Sequence, residues 1–345
     1  MGDPGGIGPE TIAKTLQSLE KFKGAFLLLI GASAVFEFLE EELHLKLPLN
    51  PIPTLHRDFL RDDSVNFLDI TEEAGWLLKK VAARQLSSEG LFDIGKISIQ
   101  NAALALAALK AGAYQAATGL VDALVTAPVN KEAMRLVEPK FQGHTEYLAK
   151  TARTKEFAMM FLNEPVVVSH CEPAAGGRSN LIPGLLRPAT FGGSPRNDAH
   201  PLRVTLVTIH VPLKKVSRLV TCEAVLEKIR LTHNFLKSRL GIAKPKIGVS
   251  ALNPHGHETG EEEETVIGPA IQEAVKEGIR VSGPISGDRI FREAYEGLYD
   301  AVVAMYHDQA LAPFKLIAFE TGVNLTLGIP YIRTSPDHGT AFHIA

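Results

Sequence analysis

Apolar and polar positions along this chain switch repeatedly between two periods. Short, β-prone apolar runs predict buried strands at 26–30, 122–126, 157–161, 203–210, 246–255, 281–285, 300–305 and 323–328. Segments at 11–19, 34–43, 72–87, 98–117, 131–136, 217–241 and 267–277, and one starting at 287, have the spacing of helices, and 98–117 is alanine-rich enough to pack closely. Strands alternating with helices predict an α/β chain whose parallel strands are joined by helical crossovers.

Three predicted strands share one ending. Arg203-Val-Thr-Leu-Val-Thr-Ile-His210, Lys246-Ile-Gly-Val-Ser-Ala-Leu-Asn-Pro-His255 and Asp300-Ala-Val-Val-Ala-Met-Tyr-His307 each deliver a histidine. A lone histidine after a strand is commonly structural, but parallel strands of an open sheet put their C-terminal ends along one crevice. His210, His255 and His307 are therefore candidate ligands for a borderline ion such as Zn²⁺ or Co²⁺, with Asp308 as a carboxylate orienting an imidazole. The spacing lacks a compact zinc signature such as H-E-x-x-H. Lys315 reads as lying one short loop beyond His307. With Lys131 and Arg333 it is a candidate cation for a phosphate or carboxylate. An ion plus anion-binding cations suits a small anionic substrate.

Other polar segments have plainer readings. The Pro-bearing loop Ala127-Pro-Val-Asn-Lys131 reads as placing a cation on an anionic substrate, or more plainly as a capped helix start, with Asn130 or Thr126 as the cap before Lys131. Gly143-His144-Thr145 reads as a loop. Glu261 to Glu264 read as a solvated helix start, where carboxylates suit the dipole. The Gly-rich run Gly2-Asp-Pro-Gly-Gly reads either as an anion cradle or as a turn. The segment 163–200, rich in proline and glycine, reads as an insertion. Its Ser169-His170-Cys171 are neighbours in sequence, which does not make a catalytic pair in space.

Composition narrows the class. The 345 residues carry 36 basic and 39 acidic side chains, a net charge of −3, with no basic stripe for nucleic acid and no polybasic cluster for anionic lipid. Two cysteines are too few for a disulfide framework and suit a reducing cytosol, so a cytoplasmic location is expected. There is no apolar run of about 18 residues and no signal-peptide pattern. The ends carry neither an initial strand nor a terminal helix, so the chain reads as clipped at both ends.

Taken together, Gly2-Asp-Pro-Gly-Gly-Ile-Gly-Pro-Glu10, Thr126-Ala-Pro-Val-Asn-Lys131, Gly143-His-Thr-Glu146, Asn253-Pro-His255, Tyr306-His-Asp-Gln309 and Arg333-Thr-Ser-Pro-Asp-His-Gly-Thr-Ala341 resemble the 4-hydroxythreonine-4-phosphate dehydrogenase (PdxA) family of pyridoxine biosynthesis. The resemblance implies an isocitrate/isopropylmalate dehydrogenase-like fold, two α/β/α domains flanking a cleft, in a homodimer. The expected domains are 1–127 with 320–345, and 128–319. It implies oxidation of a secondary alcohol by NAD or NADP, followed by loss of CO₂ to give 3-amino-2-oxopropyl phosphate. By motif it puts one divalent ion (Zn, Mg or Co) on His210, His255 and His307, shared between subunits. Substrate contacts fall on His144, Thr145, Lys315, Asn324 and Arg333, with Lys315 and Asp308 as catalytic candidates. Residues for the dinucleotide stay unassigned. The alternatives are a paralogous dehydrogenase of another anionic hydroxy acid, such as a four-carbon sugar-acid phosphate, a non-catalytic homologue, or a metal-dependent hydrolase. The segment 163–200 and the run Gly256-His-Glu-Thr-Gly260 depart from the family pattern.

Overall fold

The computed structural model describes residues 1–17, 24–82, 91–163 and 200–345. The expected insertion, with Ser169, His170 and Cys171, lies outside the described residues apart from its end positions. The chain divides into two units, Met1–Arg153 with Pro330–Ala345, and Thr154–Ile329. The boundaries expected after residues 127 and 319 thus fall later. The reason is packing: Met134, Phe141 and Leu148, beyond the expected boundary, are buried in the first unit's core against the alanine-rich helix.

The first unit contains α1 (Gly8–Leu16), β1 (Leu27–Gly31), α2 (Ser33–Glu42), β2 (Leu49–Pro51), β3 (Val65–Asp69), α3 (Thr71–Ala82), α4 (Ile99–Ala117), β4 (Ala123–Val125), α5 (Lys131–Val137) and α6 (His144–Thr151). The strands β1, β3 and β2 form a parallel sheet in that order. β4 pairs in parallel with the returning strand Ile332–Pro336. Ser98 caps α4 by accepting from Asn101 N–H, and Ala102 to Leu109 are all buried. Alanine's small side chain lets this helix be covered on several sides at once, which a leucine-only face would not permit. Gly143-His144-Thr145, expected as a loop, is instead the start of α6.

The second unit contains β5 (Ala158–Asn163), β6 (Leu202–Leu206), α7 (Val216–Leu219), α8 (Cys222–Ser238), β7 (Lys246–Ser250), α9 (Gly268–Lys276), β8 (Arg280–Ile285), α10 (Gly287–Tyr295), β9 (Ala301–Ala304), α11 (His307–Ala318) and β10 (Val323–Leu327). Its sheet runs β10-β5-β6-β9-β7-β8. The pairs β6–β9, β9–β7 and β7–β8 are parallel, and β5 is antiparallel to both neighbours. β9 shows why its run is continuously apolar. Val302 and Ala304 enter one core with Phe161, Phe291 and Phe314, while Ala301, Val303 and Met305 enter another with Val249 and Ile267. Successive residues face opposite sides, and both sides are covered.

Three expectations change here. The helix expected over 217–241 is broken at Val220, after which Thr221 accepts from Ala224 N–H at 3.1 Å and starts α8. Residues 307–318 are helical, so Lys315 stands two turns along the same helix as His307 and not beyond a loop. The acidic run is only partly solvated: Glu263 is buried and opens a π-helical turn, Glu263–Ile267, ahead of α9.

The C-terminal ends of β7 and β9 are stapled by Gln309, whose Nε2 donates to Ala251 O at 2.6 Å and whose Oε1 accepts from Met305 N–H at 2.8 Å. Gln309→Ala leaves both backbone groups without these partners. The expected loss is about 1–3 kcal/mol, read as a lower urea midpoint; an unchanged midpoint would show that the staple contributes nothing.

Candidate active site

In the second unit, β6, β9 and β7 are adjacent and parallel, so their C-terminal ends lie along one edge. Val207 N–H donates to Ala304 O at 2.9 Å, and Thr208 bonds Met305 O through both N–H (3.1 Å) and Oγ1 (2.8 Å). These bonds hold the segments leaving β6 and β9 side by side. His210 and His307 consequently meet, with ring centroids 5.4 Å apart. His307 is the first residue of α11, and its Nδ1 lies 2.7 Å from an Asp308 carboxylate oxygen. That contact fixes the ring and leaves Nε2 as the nitrogen to offer an ion, as ligating histidines are commonly arranged.

His255 goes elsewhere. Ala251, just beyond β7, is held from both sides: its N–H donates to Ile285 O at 2.7 Å and its O accepts from Gln309 Nε2 at 2.6 Å. His255 then stands in the left-handed region, at φ 58°. It lines a cavity of about 790 Å³ with Ser286, Asp288, Tyr306 and Gln309. Among the described residues no three histidine, cysteine or carboxylate side chains gather closely enough within the chain to hold one ion. The chain thus assembles two of the three sequence candidates and sets the third apart. Lys315, two helical turns and about 12 Å of axis from His307, has its ammonium 5.9 Å from the Phe319 ring centroid. Asn324, on β10, has a buried Oδ1 with no protein hydrogen-bond partner.

In the first unit a second group forms around the segment Thr126–Lys131. Arg333, only 2% exposed, donates to Thr126 Oγ1 from Nε (3.2 Å) and Nη2 (2.7 Å). Burial pushes its pKa down to about 10, opposed by Tyr331 and Glu146. His144 and the buried Thr145 open α6, whose preceding Gly143 supplies no side-chain cap. A Cβ on Gly143 would lie 2.6 Å from Glu146 Oε2 and 3.5 Å from Lys131 Cε, which places Lys131 at this helix start. Burial, then the charges of Arg333 and Lys131, hold the His144 imidazole well below its usual range, so it is neutral at pH 7. Cations converging on a helix N-terminus suit a phosphate or carboxylate.

Two features of this group extend the sequence reading. Asn130 does cap α5, accepting from Ala133 N–H at 3.0 Å, yet the same short segment also presents Lys131 and Thr126. The Gly-rich run is explained by close backbone approach. A Cβ on Gly2 would collide with Pro128 O, one on Gly5 with Asn101 Nδ2, and one on Gly6 would lie 2.6 Å from Thr340 O. Within that run Asp3 is buried. It accepts from Gly5 N–H at 3.0 Å, while Oδ2 has no protein partner.

A family profile described as "Pyridoxal phosphate biosynthetic protein PdxA" matches residues 28–345. The chain belongs to this family. It is 38% identical to a 4-hydroxythreonine-4-phosphate dehydrogenase of Geobacter metallireducens, over 100% of this chain and 88% of that one. It is 34% identical to a D-threonate 4-phosphate dehydrogenase of Salmonella typhimurium, over 100% and 91%. Among solved structures, a 4-hydroxythreonine-4-phosphate dehydrogenase from Klebsiella pneumoniae superimposes with a TM-score of 0.73 at 31% identity, covering 100% of this chain and 90% of that one. The expected isocitrate/isopropylmalate dehydrogenase-like fold class stands. Among the described residues no helix is long and apolar enough to cross a membrane.

Burial raises the Asp3 pKa from 3.8 to about 6. The native state therefore holds this proton more tightly than the unfolded chain, and its stabilising contribution is lost as pH rises from about 4 through about 6. Asp3→Asn removes that dependence. Its melting temperature relative to the parent is expected to rise between pH 4.5 and pH 8, by an amount corresponding to about 2–3 kcal/mol at most. A constant difference across that range would contradict the assignment.

Proposed function

We propose that this chain is an NAD- or NADP-dependent, divalent-metal-dependent dehydrogenase that oxidises 4-phosphooxy-L-threonine. Family membership supports this reading. The observation that carries it is the meeting of two imidazoles beside a strand end in the second unit, and a cation-rich helix start in the first unit agrees with it. The carbon bearing the hydroxyl gives a hydride to the nicotinamide, and the hydroxyl gives up its proton. The product is a ketone β to the carboxylate. It loses CO₂, takes a proton at the adjacent carbon, and leaves 3-amino-2-oxopropyl phosphate. The two electrons end on the dinucleotide.

His210 and His307 are assigned as ligands, with Asp308 orienting His307. Neutral imidazoles with an orienting carboxylate fit Zn²⁺ or Co²⁺ better than Mg²⁺, which prefers oxygen. Such an ion, when bound, polarises a substrate oxygen. His144, Thr145, Lys131 and Arg333 hold anionic groups of the substrate. Lys315 is assigned as a cationic contact and proton donor. Asn324 is assigned to a polar substrate group that would satisfy its buried amide oxygen. A second reading, D-threonate 4-phosphate as substrate, is favoured by the match to the Salmonella typhimurium enzyme.

The third ligand, His255, is assigned to a second copy of the chain. Two observations support a shared site: the absence of an in-chain trio among the described residues, and the outward display of Leu316 and Phe319 on α11, 88% and 80% exposed.

Reduced nicotinamide formation with 4-phosphooxy-L-threonine is expected, abolished by EDTA and restored by Zn²⁺ or Co²⁺. Turnover of D-threonate 4-phosphate alone would favour the second reading, and EDTA-insensitive turnover would remove the metal. His255→Ala and His307→Ala are each expected to be inactive. Mixed and reassembled, they should recover about a quarter of parental activity, because half of the dimers are mixed and each mixed dimer has one intact site. Recovery of nothing would place all three ligands in one chain or show that the mixed dimer does not form, which native mass spectrometry distinguishes.

A further inference from the structure

One carboxylate outside the ligand set is built into the turn that carries His255. Beyond β7, His255 at φ 58° and Gly256 at φ 80° are consecutive left-handed residues. A side-chain-bearing residue there costs roughly 1–2 kcal/mol and persists only where its surroundings enforce it.

Glu263 provides that enforcement. It is 1% exposed. Its Oε1 accepts from Leu252 N–H at 2.9 Å and Asn253 N–H at 2.8 Å, and its Oε2 accepts from Asn253 Nδ2 at 2.9 Å. The same amide also donates to Glu262 Oε2 at 2.9 Å. The chain returns across Asn253, where a Cβ on Gly260 would collide with Nδ2. Between these points, Gly256 N–H donates to Asn253 O and Thr259 Oγ1 to Pro254 O, each at 3.3 Å. Glu263 itself opens the π-helical turn, a local widening that recurs at functional sites. A Cβ on Gly268, at the end of that turn, would lie 2.9 Å from Glu263 O.

Three N–H donors on one buried carboxylate far exceed what a helix start needs. We propose that Glu263 is a positioning residue: by fixing Leu252 and Asn253 it sets the direction in which His255 is offered to a divalent ion. This rests on the assignment of His255 as a ligand. The Glu263 carboxylate is engaged by N–H groups of Leu252 and Asn253. Its effect passes through the turn.

Co²⁺ binding to the full chain, followed by the ion's visible absorption, tests this on four proteins: parent, Glu263→Gln, the exposed neighbour Glu264→Gln, and His255→Ala. Glu263→Gln, with parental circular dichroism, is expected to bind Co²⁺ about 10- to 100-fold more weakly. Its residual spectrum should move toward that of His255→Ala, a change that general loosening would not produce. Glu264→Gln should match the parent. Parental affinity and spectrum in Glu263→Gln, with weakened binding in His255→Ala, would overturn the role of Glu263 alone. Parental binding in His255→Ala would overturn the ligand assignment, and this proposal with it. Should Glu263→Gln fail to fold, Asn253→Ala removes only the side-chain arm of the clamp. Weaker Co²⁺ binding there supports the proposal, and unchanged binding overturns it.

Discussion

The locking of β9 between β6 and β7 is the constraint on which the second unit depends. Both of β9's faces are buried, so its backbone must find every partner in its neighbours. At the strand ends the ladder gives way to specific bonds: Val207 and Thr208 on one side, Gln309 on the other. These bonds set where each chain departs. They bring His210 to His307, and they start α11 directly at His307. His255, farther along the segment leaving β7, forms no metal-holding trio with them within the chain among the described residues.

The first unit solves a different problem, that of holding positive charge in a buried place. Arg333 pays for its burial with a lowered pKa, and burial first, then the charges of Arg333, the N-terminus and Lys131, keeps His144 neutral. A neutral imidazole can donate or accept without adding to the repulsion. The glycines at 2, 5 and 6 let backbone pass close to Pro128, Asn101 and Thr340, which brings Asp3 against the segment Thr126–Lys131. The Gly-rich run thus acts on the site through packing, by supporting the segment that displays the cation.

Most of the regular structure was legible, because period and composition are local properties. The strand β9 and the alanine-rich α4 were predictable from their side chains alone. The errors lie where a polar residue had two physically sound uses. His144 read as a loop residue and Lys315 as lying beyond a loop, yet both stand in helices, and Glu263 read as solvated. A carboxylate that caps a solvated helix and one that clamps a distant turn look identical in sequence. Only the three-dimensional path of the chain brings Leu252 and Asn253 to it.

By itself, the sequence determined the α/β class, the family, and the residue types that bear the chemistry, because these follow from periodicity and from short motifs. Tertiary structure alone decided which of those residues meet. His210 and His307 lie far apart along the chain and touch because β6 and β9 are hydrogen-bonded neighbours. His255 follows β7, equally adjacent to β9, in a turn with left-handed residues at 255 and 256, and joins no in-chain trio among the described residues. Strand order and the hydrogen bonds at strand ends are long-range choices, and no local pattern of residues encodes them.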